Sequence, residues 1–257
     1  MTANSADVND PQRVALITGA ARGLGRGIAV DLASHGYRIA FTYRPTGTAP
    51  DETTRRICAS GGTHALAVAA DHERDGNTAA AIRTVETSWA RIDVLVHAVG
   101  PMITHAFSRA SMEDYHRTVA GNLSSAVEAA FAVLPGMRAR RFGRLIFFGM
   151  NGSHATVPAR NLSLYAASKA AVVSFARTLA LEEARHGITV NALEPGDIRD
   201  KEIDRATARS VAAKNPTGHA GSWEDVAAAV RYLAADESGF INGAVLGVNG
   251  GLAEPYE

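Results

Sequence analysis

The stretch Val14-Ala15-Leu16-Ile17-Thr18-Gly19-Ala20-Ala21-Arg22-Gly23-Leu24-Gly25 decides the fold. Val14 to Ile17 is a short, wholly apolar run, which reads as a strand buried on both faces. From Leu24 to His35 the apolar residues recur at helical spacing, and Gly36 stops them. The turn between strand and helix holds three glycines. Gly19 permits a sharp exit from the strand, Gly23 lets backbone approach a phosphate, and Gly25 lets the helix pack closely. The helix then presents free N–H groups and a partial positive charge to a pyrophosphate. A lone glycine triplet is a weak signal that fits a purely structural turn equally well. Between the first strand and first helix of a long alternating chain it marks a dinucleotide site built on Gly19, Arg22, Gly23, Leu24 and Gly25.

The alternation continues outward from this turn. Tyr37 to Tyr43, His64 to Ala70, Asp93 to Val96, Arg144 to Phe148, Ile188 to Leu193 and Ala244 to Val248 read as strands. Thr53 to Ala59, Thr78 to Ala90, Met112 to Arg140, Leu164 to Arg185 and Trp223 to Ala234 read as helices, with Pro135 predicting a bend or break near the end of the third. Strands this apolar belong to a parallel sheet covered on both faces. The expectation is α/β: one doubly wound parallel sheet of about seven strands with helices on both faces, spanning residues 13–257 as a single domain. Residues 1–12 are polar and slightly acidic and read as a disordered tail on a cytoplasmic protein. The polar segment Pro195 to His219 comes after a strand at the ligand-binding edge and is expected to be a mobile substrate lid.

Composition closes off other classes. The chain has 257 residues, with 26 Lys plus Arg against 26 Asp plus Glu, so bulk charge offers no attraction to nucleic acid or an anionic membrane. One cysteine, Cys58, excludes an intrachain disulfide. The apolar runs are far short of the ~20 residues a spanning helix needs. The nine histidines are scattered, without a metal-ligand spacing, so no metal is expected. No Gly-x-Ser-x-Gly elbow argues for a hydrolase.

The residues just after the second strand bear on the coenzyme. A site for NAD places a carboxylate there to hold the ribose 2′-hydroxyl. This chain has Tyr43 and Arg44 instead, with Arg22 nearby in the glycine turn. A guanidinium takes a 2′-phosphate in fork geometry, so the pair favours NADP(H), the alternative being that Arg44 is a solvated loop charge. Later, Tyr165-Ala166-Ala167-Ser168-Lys169 sets a phenol and an ammonium on one face of a helix. The cation favours the phenolate, and a phenol so tuned can pass a proton while hydride moves to or from a carbonyl carbon.

Taken together and in order, Thr18 to Gly25, Asp71, Gly100, Asn122, Tyr165 with Lys169, Pro195-Gly196 and Asn249-Gly250-Gly251 make the chain resemble the short-chain dehydrogenase/reductase family over nearly its whole length. The resemblance implies a Rossmann-type fold. It implies that Tyr165 is the proton donor and that Lys169 binds the nicotinamide ribose and lowers the tyrosine pKa. It further implies that Asn122 holds a relay water, that Asp71 faces the adenine, that Gly100 borders the coenzyme, and that Pro195-Gly196 lies by the nicotinamide. Relatives are usually homotetramers built on two long helices. The alanines Ala126, Ala129, Ala130, Ala170 and Ala171 would allow close helix approach across such an interface.

The pattern also breaks. The family usually carries a serine just after strand five, about 13 residues before the tyrosine, to hydrogen-bond the substrate carbonyl. Counting forward along the strand puts Met150 there, and counting back from Tyr165 gives Gly152, so Asn151 to Leu164 reads as a loop lengthened by two residues. A thioether has no proton to donate. Ser153 is the preferred replacement, the amide of Asn151 the alternative, and Ser153 as a plain loop hydroxyl a third reading. His97 stands where relatives carry an asparagine that ties central strands, and is expected to do the same. Phe147, Phe148, Met150 and Met102 line an apolar pocket or belong to the core. In the acidic Glu194-Pro195-Gly196-Asp197, Asp197 either points to substrate or caps the next segment. The leading expectation is an NADPH-dependent oxidoreductase that reduces a carbonyl, a 3-oxoacyl thioester or related ketone, to an alcohol. The alternatives are an enzyme acting on another small carbonyl or alcohol, and a nucleotide-binding homologue with little turnover.

Overall fold

The computed structural model describes residues 12–62, 65–198 and 200–252. Strands β1 (Val14–Thr18), β2 (Arg38–Tyr43), β3 (Ala65–Ala69), β4 (Val94–His97), β5 (Gly143–Phe148), β6 (Ile188–Pro195) and β7 (Val245–Val248) form one sheet. Their order is β3-β2-β1-β4-β5-β6-β7, and every pairing is parallel. The order reverses at β1, which pairs with β2 on one side and β4 on the other. That opens a crevice outside the strands' carboxyl ends. The helices are α1 (Gly23–Ser34), α2 (Asp51–Ala59), α3 (Asn77–Trp89), α4 (Met112–Val119), α5 (Ser125–Arg140), α6 (Ser163–Glu183), α7 (Arg205–Arg209) and α8 (Trp223–Ala234).

Two cores result from the alternation of side chains along each strand. On β1, Val14 and Leu16 point into one core with Val85 of α3, Val133 of α5 and Val172 of α6. Ala15 and Ile17 point into the other with Ile28 of α1, Ile57 of α2 and Val226 of α8. All five β1 residues are at most 1% exposed; Val14 to Ile17 are apolar, and the one polar residue, Thr18, spends its hydroxyl on the Ala98 N–H. The ends of α4 and α8 are set by Ser111 with Asp114 and Ser222 with Asp225, reciprocal caps worth ~1 kcal/mol each.

Several expectations change. The 112–140 helix is interrupted by a π turn at Ala120–Ser124, whereas Pro135 sits inside α5 without ending it. Pro135 lies on the exposed side of α5, where the loss of one backbone N–H strands no donor or acceptor away from solvent. Ala126, Ala129 and Ala130 are buried in the chain's own core, so they cannot face a partner subunit. The outward apolar residues of α5 and α6 are Phe131 and Leu181. Phe147 and Phe148 are core, while Met102 is exposed and lines a groove at the carboxyl edge of the sheet, as the pocket reading has it. The 195–219 segment contains the helix α7 and a bridge between Ala212 and His219. The expected tail falls, apart from Gln12, outside the described residues, as does His64 at the start of the third strand. Among the described residues no helix is long and apolar enough to cross a membrane.

Candidate active site

The turn after β1 is anchored from beneath. Gly19 donates its N–H to Thr42 Oγ1 at 2.9 Å, and Thr42 Oγ1 lies 2.7 Å from His72 Nε2. His72 Nδ1 meets Thr78 Oγ1 at 2.8 Å. Burial drives the His72 pKa down to about 4, with Arg44 adding to the drop and Asp71 opposing it. Inside the turn, Arg26 donates to Ala21 O at 2.5 Å and to Thr53 Oγ1 at 3.2 Å. A Cβ on Gly25 would stand 2.8 Å from Gly19 O, so this glycine serves contact between the helix start and the turn itself.

A groove of about 1030 Å³ opens on the turn. Arg22, Gly23, Leu24 and Gly25 line it, as do Tyr43, Arg44, Thr46, Thr48 and Gly100. Arg22 is exposed, with no partner among the described residues. Arg44 is paired: its Nη2 is 2.5 Å from Glu73 Oε1 and 3.5 Å from Asp71 Oδ1. Glu73 also accepts from Arg117 Nε at 3.2 Å. Asp71 thus stands beside the groove as an arginine partner. Glu202, from the segment after β6, brings a carboxylate onto the glycine turn. Its Oε1 accepts the Gly23 N–H at 2.6 Å and its Oε2 sits 3.0 Å from Arg26 Nη1.

The other half of the crevice holds the phenol and ammonium. Lys169 Nζ donates to Phe148 O at the end of β5 at 2.8 Å and lies 5.6 Å from the centre of the Tyr165 ring. Burial lowers the Lys169 pKa to about 7, with the Lys201 charge adding to the drop. Asn122 is turned inward by the π turn, and its Nδ2 donates to Thr118 O at 2.9 Å and Pro101 O at 3.1 Å. Its buried Oδ1 has no partner among the described residues. Gly100 is wedged where these groups meet: a Cβ there would lie 2.2 Å from Asn122 Oδ1 and 3.1 Å from Lys169 Nζ. The groove and the Tyr165–Lys169 pair therefore share a wall.

His97 ties strands as expected. Thr18 Oγ1 lies 3.3 Å from its Nδ1, and Ser125 Oγ lies 3.0 Å from its Nε2. Ser125 donates onward to Gly121 O, so the network reaches the π turn of Asn122. Burial holds the His97 pKa well below its ordinary value, helped by His72 and Lys169, so the ring is neutral.

The loop after β5 is where the pattern departs. Met150 is buried, with a side chain that donates nothing. Ser153 Oγ accepts the Met150 N–H at 3.0 Å, and Ser153 N donates to Met150 O at 2.8 Å. Asn151 is spent on the C-terminal turn, accepting from Asn249 Nδ2 at 2.5 Å and donating to Leu252 O at 3.2 Å. Gly196 packs against both: its Cβ would stand 2.9 Å from Asn249 Cβ and 3.3 Å from Asn151 Cγ. Pro195 ends β6 beside it. Asp197 does not cap α7, whose cap is Asp204, and its Oδ2 accepts from Asn215 Nδ2 at 2.7 Å. Sequence reasoning missed Glu73, Arg117, Thr46, Thr48, Glu202 and the pair Glu194–His154. Only the Thr46-Gly47-Thr48 turn after Arg44 carries a local signal that could have found it.

A parallel sheet with a glycine turn at its switch point, and a lysine-paired tyrosine across the same crevice, defines a class of dinucleotide-type oxidoreductases. The chain belongs to the short-chain dehydrogenase/reductase family. The family profile described as Enoyl-(Acyl carrier protein) reductase matches residues 19–253. The chain is 33% identical over 245 residues to the 3-oxoacyl-[acyl-carrier-protein] reductase of Synechocystis sp., covering 93% of this chain and 96% of that protein. It is 31% identical over 249 residues to 3beta-hydroxysteroid dehydrogenase 1 of Eggerthella lenta, covering 93% of each. A solved 3-oxoacyl (acyl-carrier-protein) reductase from Agrobacterium tumefaciens with NADP bound superposes with a TM-score of 0.82 at 29% identity, over 93% of each chain. This chain is accordingly an oxidoreductase of that family.

Proposed function

We propose that the protein is an NADP(H)-dependent reductase that converts a carbonyl, a 3-oxoacyl thioester or related ketone, to an alcohol. The observation that carries this reading is Gly100, whose backbone joins the glycine-walled groove to Asn122 Oδ1 and Lys169 Nζ. The residues fit a dinucleotide: glycines leave room where a Cβ would collide, and a buried orphan oxygen awaits a partner. When bound, the dihydronicotinamide coenzyme supplies the hydride. Tyr165 delivers a proton to the carbonyl oxygen, and a neighbouring ammonium stabilises the phenolate left behind. Lys169, deeply buried and tied to Phe148 O, is the cation in place for this. Asn122 Oδ1 is the acceptor for a water that refills the relay. The Ser153 hydroxyl polarises the carbonyl. Arg44 and Arg22 take the 2′-phosphate, Arg44 by exchanging Glu73 and Asp71 for it. The enzyme works as a homotetramer on a small-molecule or acyl-thioester substrate.

Purified protein should oxidise NADPH with acetoacetyl-coenzyme A. Tyr165→Phe should cut turnover by about 1,000-fold and leave the NADPH dissociation constant within about twofold. Retained turnover in that variant removes Tyr165 from the acid role. Met150 favours a second reading, a coenzyme-binding homologue with little turnover. Tight NADPH binding with no turnover across a broad panel of ketones and thioesters is the result that would select it.

A further inference from the structure

Glu194, on β6, is 2% exposed and turns its carboxylate to the loop after β5. Its Oε1 accepts the His154 N–H at 2.8 Å, while its Oε2 accepts the Gly152 N–H at 3.0 Å and meets His154 Nδ1 at 2.8 Å. Among the described residues no lysine or arginine shares the task. A buried carboxylate is costly unless donors surround it, so the segment 152–154 cannot leave Glu194 without stranding that charge. The residue between those donors is Ser153. Ser153 is 4% exposed; its Oγ already accepts the Met150 N–H, and its own proton has no acceptor among the described residues. The short 3₁₀ turn it begins, Ser153–Ala155, packs against α6, the helix of Tyr165 and Lys169. The loop also makes left-handed turns at Gly152 (φ 81°) and Thr156 (φ 54°), as a lengthened connection must to return to the same helix.

We propose that Glu194 is a positioning residue. It clamps the 152–154 segment so that the Ser153 hydroxyl, and not the side chain at 150, hydrogen-bonds the substrate carbonyl oxygen. This rests on the reductase reading above and assigns the part of that site left open by Met150. His154 completes the clamp through Nδ1 and leaves Nε2 without a partner among the described residues.

The test is a double-mutant cycle on the full chain, with NADPH and acetoacetyl-coenzyme A as probes and turnover counted per NADPH-binding site. Ser153→Ala should lower kcat by about 100-fold, the usual loss for one oxyanion donor. Glu194→Gln keeps the shape but turns an amide toward three N–H donors. It should lower kcat about tenfold while KM and the NADPH dissociation constant stay within about twofold. The double variant should be no slower than Ser153→Ala alone, because Glu194 acts through Ser153. If Glu194→Gln folds poorly, His154→Ala removes only one of the three contacts. It should cost about threefold in the parent and nothing in the Ser153→Ala background. Equal losses in both backgrounds overturn the proposal by making Glu194 a general structural residue, and so does wild-type kcat in Glu194→Gln. Full turnover in Ser153→Ala overturns it as well, while leaving the Tyr165 chemistry standing. The reductase reading itself fails separately, if unaltered protein neither binds nor oxidises NADPH.

Discussion

The glycine turn and the loop after β5 lie on the same carboxyl edge of the sheet and are held in opposite ways. The turn is fixed mostly by its own neighbourhood: Arg26 reaches back five positions to Ala21 O, and Gly19 rests on Thr42, 23 positions away. The loop is fixed by distant parts of the chain: Glu194 of β6 holds Gly152 from 42 positions away, and Asn249, just after β7, holds Asn151 from 98. An element held mostly from nearby depends less on the rest of the chain, and it suits the binding of a coenzyme. An element held from afar changes when any tether changes, and it suits the part of a site that meets a substrate.

The sharpest way to break this comparison is acid. His72 sits under the glycine turn with a folded pKa of about 4 against an ordinary 6.5. Between those values the unfolded chain binds more protons than the folded one, so stability falls as pH drops from 6.5 and levels off below about 4. The full penalty is on the order of 3 kcal/mol, and His97 adds to it in the same direction. Denaturant melts across this range should show that slope. His72→Gln should flatten it. An unchanged slope in the variant means His72 is not the group that titrates.

Next in size is Gly25→Ala. Its Cβ would meet backbone at Gly19 O (2.8 Å) and Ala20 Cα (2.9 Å), and backbone cannot swing aside. The turn must open, at a cost of about 2 kcal/mol, and NADPH affinity should fall about 30-fold or more. Acetoacetyl-coenzyme A should still saturate with its parent KM, since the β5 loop has its own tethers. A matched rise in KM breaks the proposed independence of the two halves.

The same division governs what the chain discloses before it is folded. β1, the glycine turn and Tyr165–Lys169 are legible because each signal is a spacing of a few residues: an apolar run, a left-handed Gly23 (φ 59°), an i,i+4 pair. The interruption of the long helix is not legible at Ala120–Ser124. Nothing in Ala-Gly-Asn-Leu-Ser forbids a helix, and the visible breaker, Pro135, turns out to face water. The alanines of α5 read as an interface because small residues fit any close contact, and only the sheet's position shows that they face inward. Glu194 reads as an oddity in an acidic stretch, since its three donors come from another part of the chain.

Arg44 offers a finer test of the coenzyme half. To take a 2′-phosphate it must give up Glu73 and Asp71, so its net contribution is smaller than that of an unpaired guanidinium. Arg44→Ala should raise the NADPH dissociation constant about tenfold and that for NADH less than twofold. An equal rise for both coenzymes removes Arg44 from the phosphate.

The smallest effect concerns a distant residue that reaches into the glycine turn. Glu202 sets a carboxylate on the Gly23 N–H at 2.6 Å, and its second oxygen faces Arg26 at 3.0 Å. That N–H belongs to the start of α1, where a pyrophosphate would look for donors. The carboxylate therefore competes with the coenzyme for positive potential, and an anion at a helix N-terminus is worth roughly 0.3–1 kcal/mol. Glu202→Gln should lower the NADPH dissociation constant about threefold, with a smaller gain at high salt where the competing charge is screened. Fluorescence titration of NADPH reads both. If affinity falls instead, Glu202 supports the glycine turn through Arg26 rather than competing at it, and the coenzyme half is no more self-sufficient than the loop after β5.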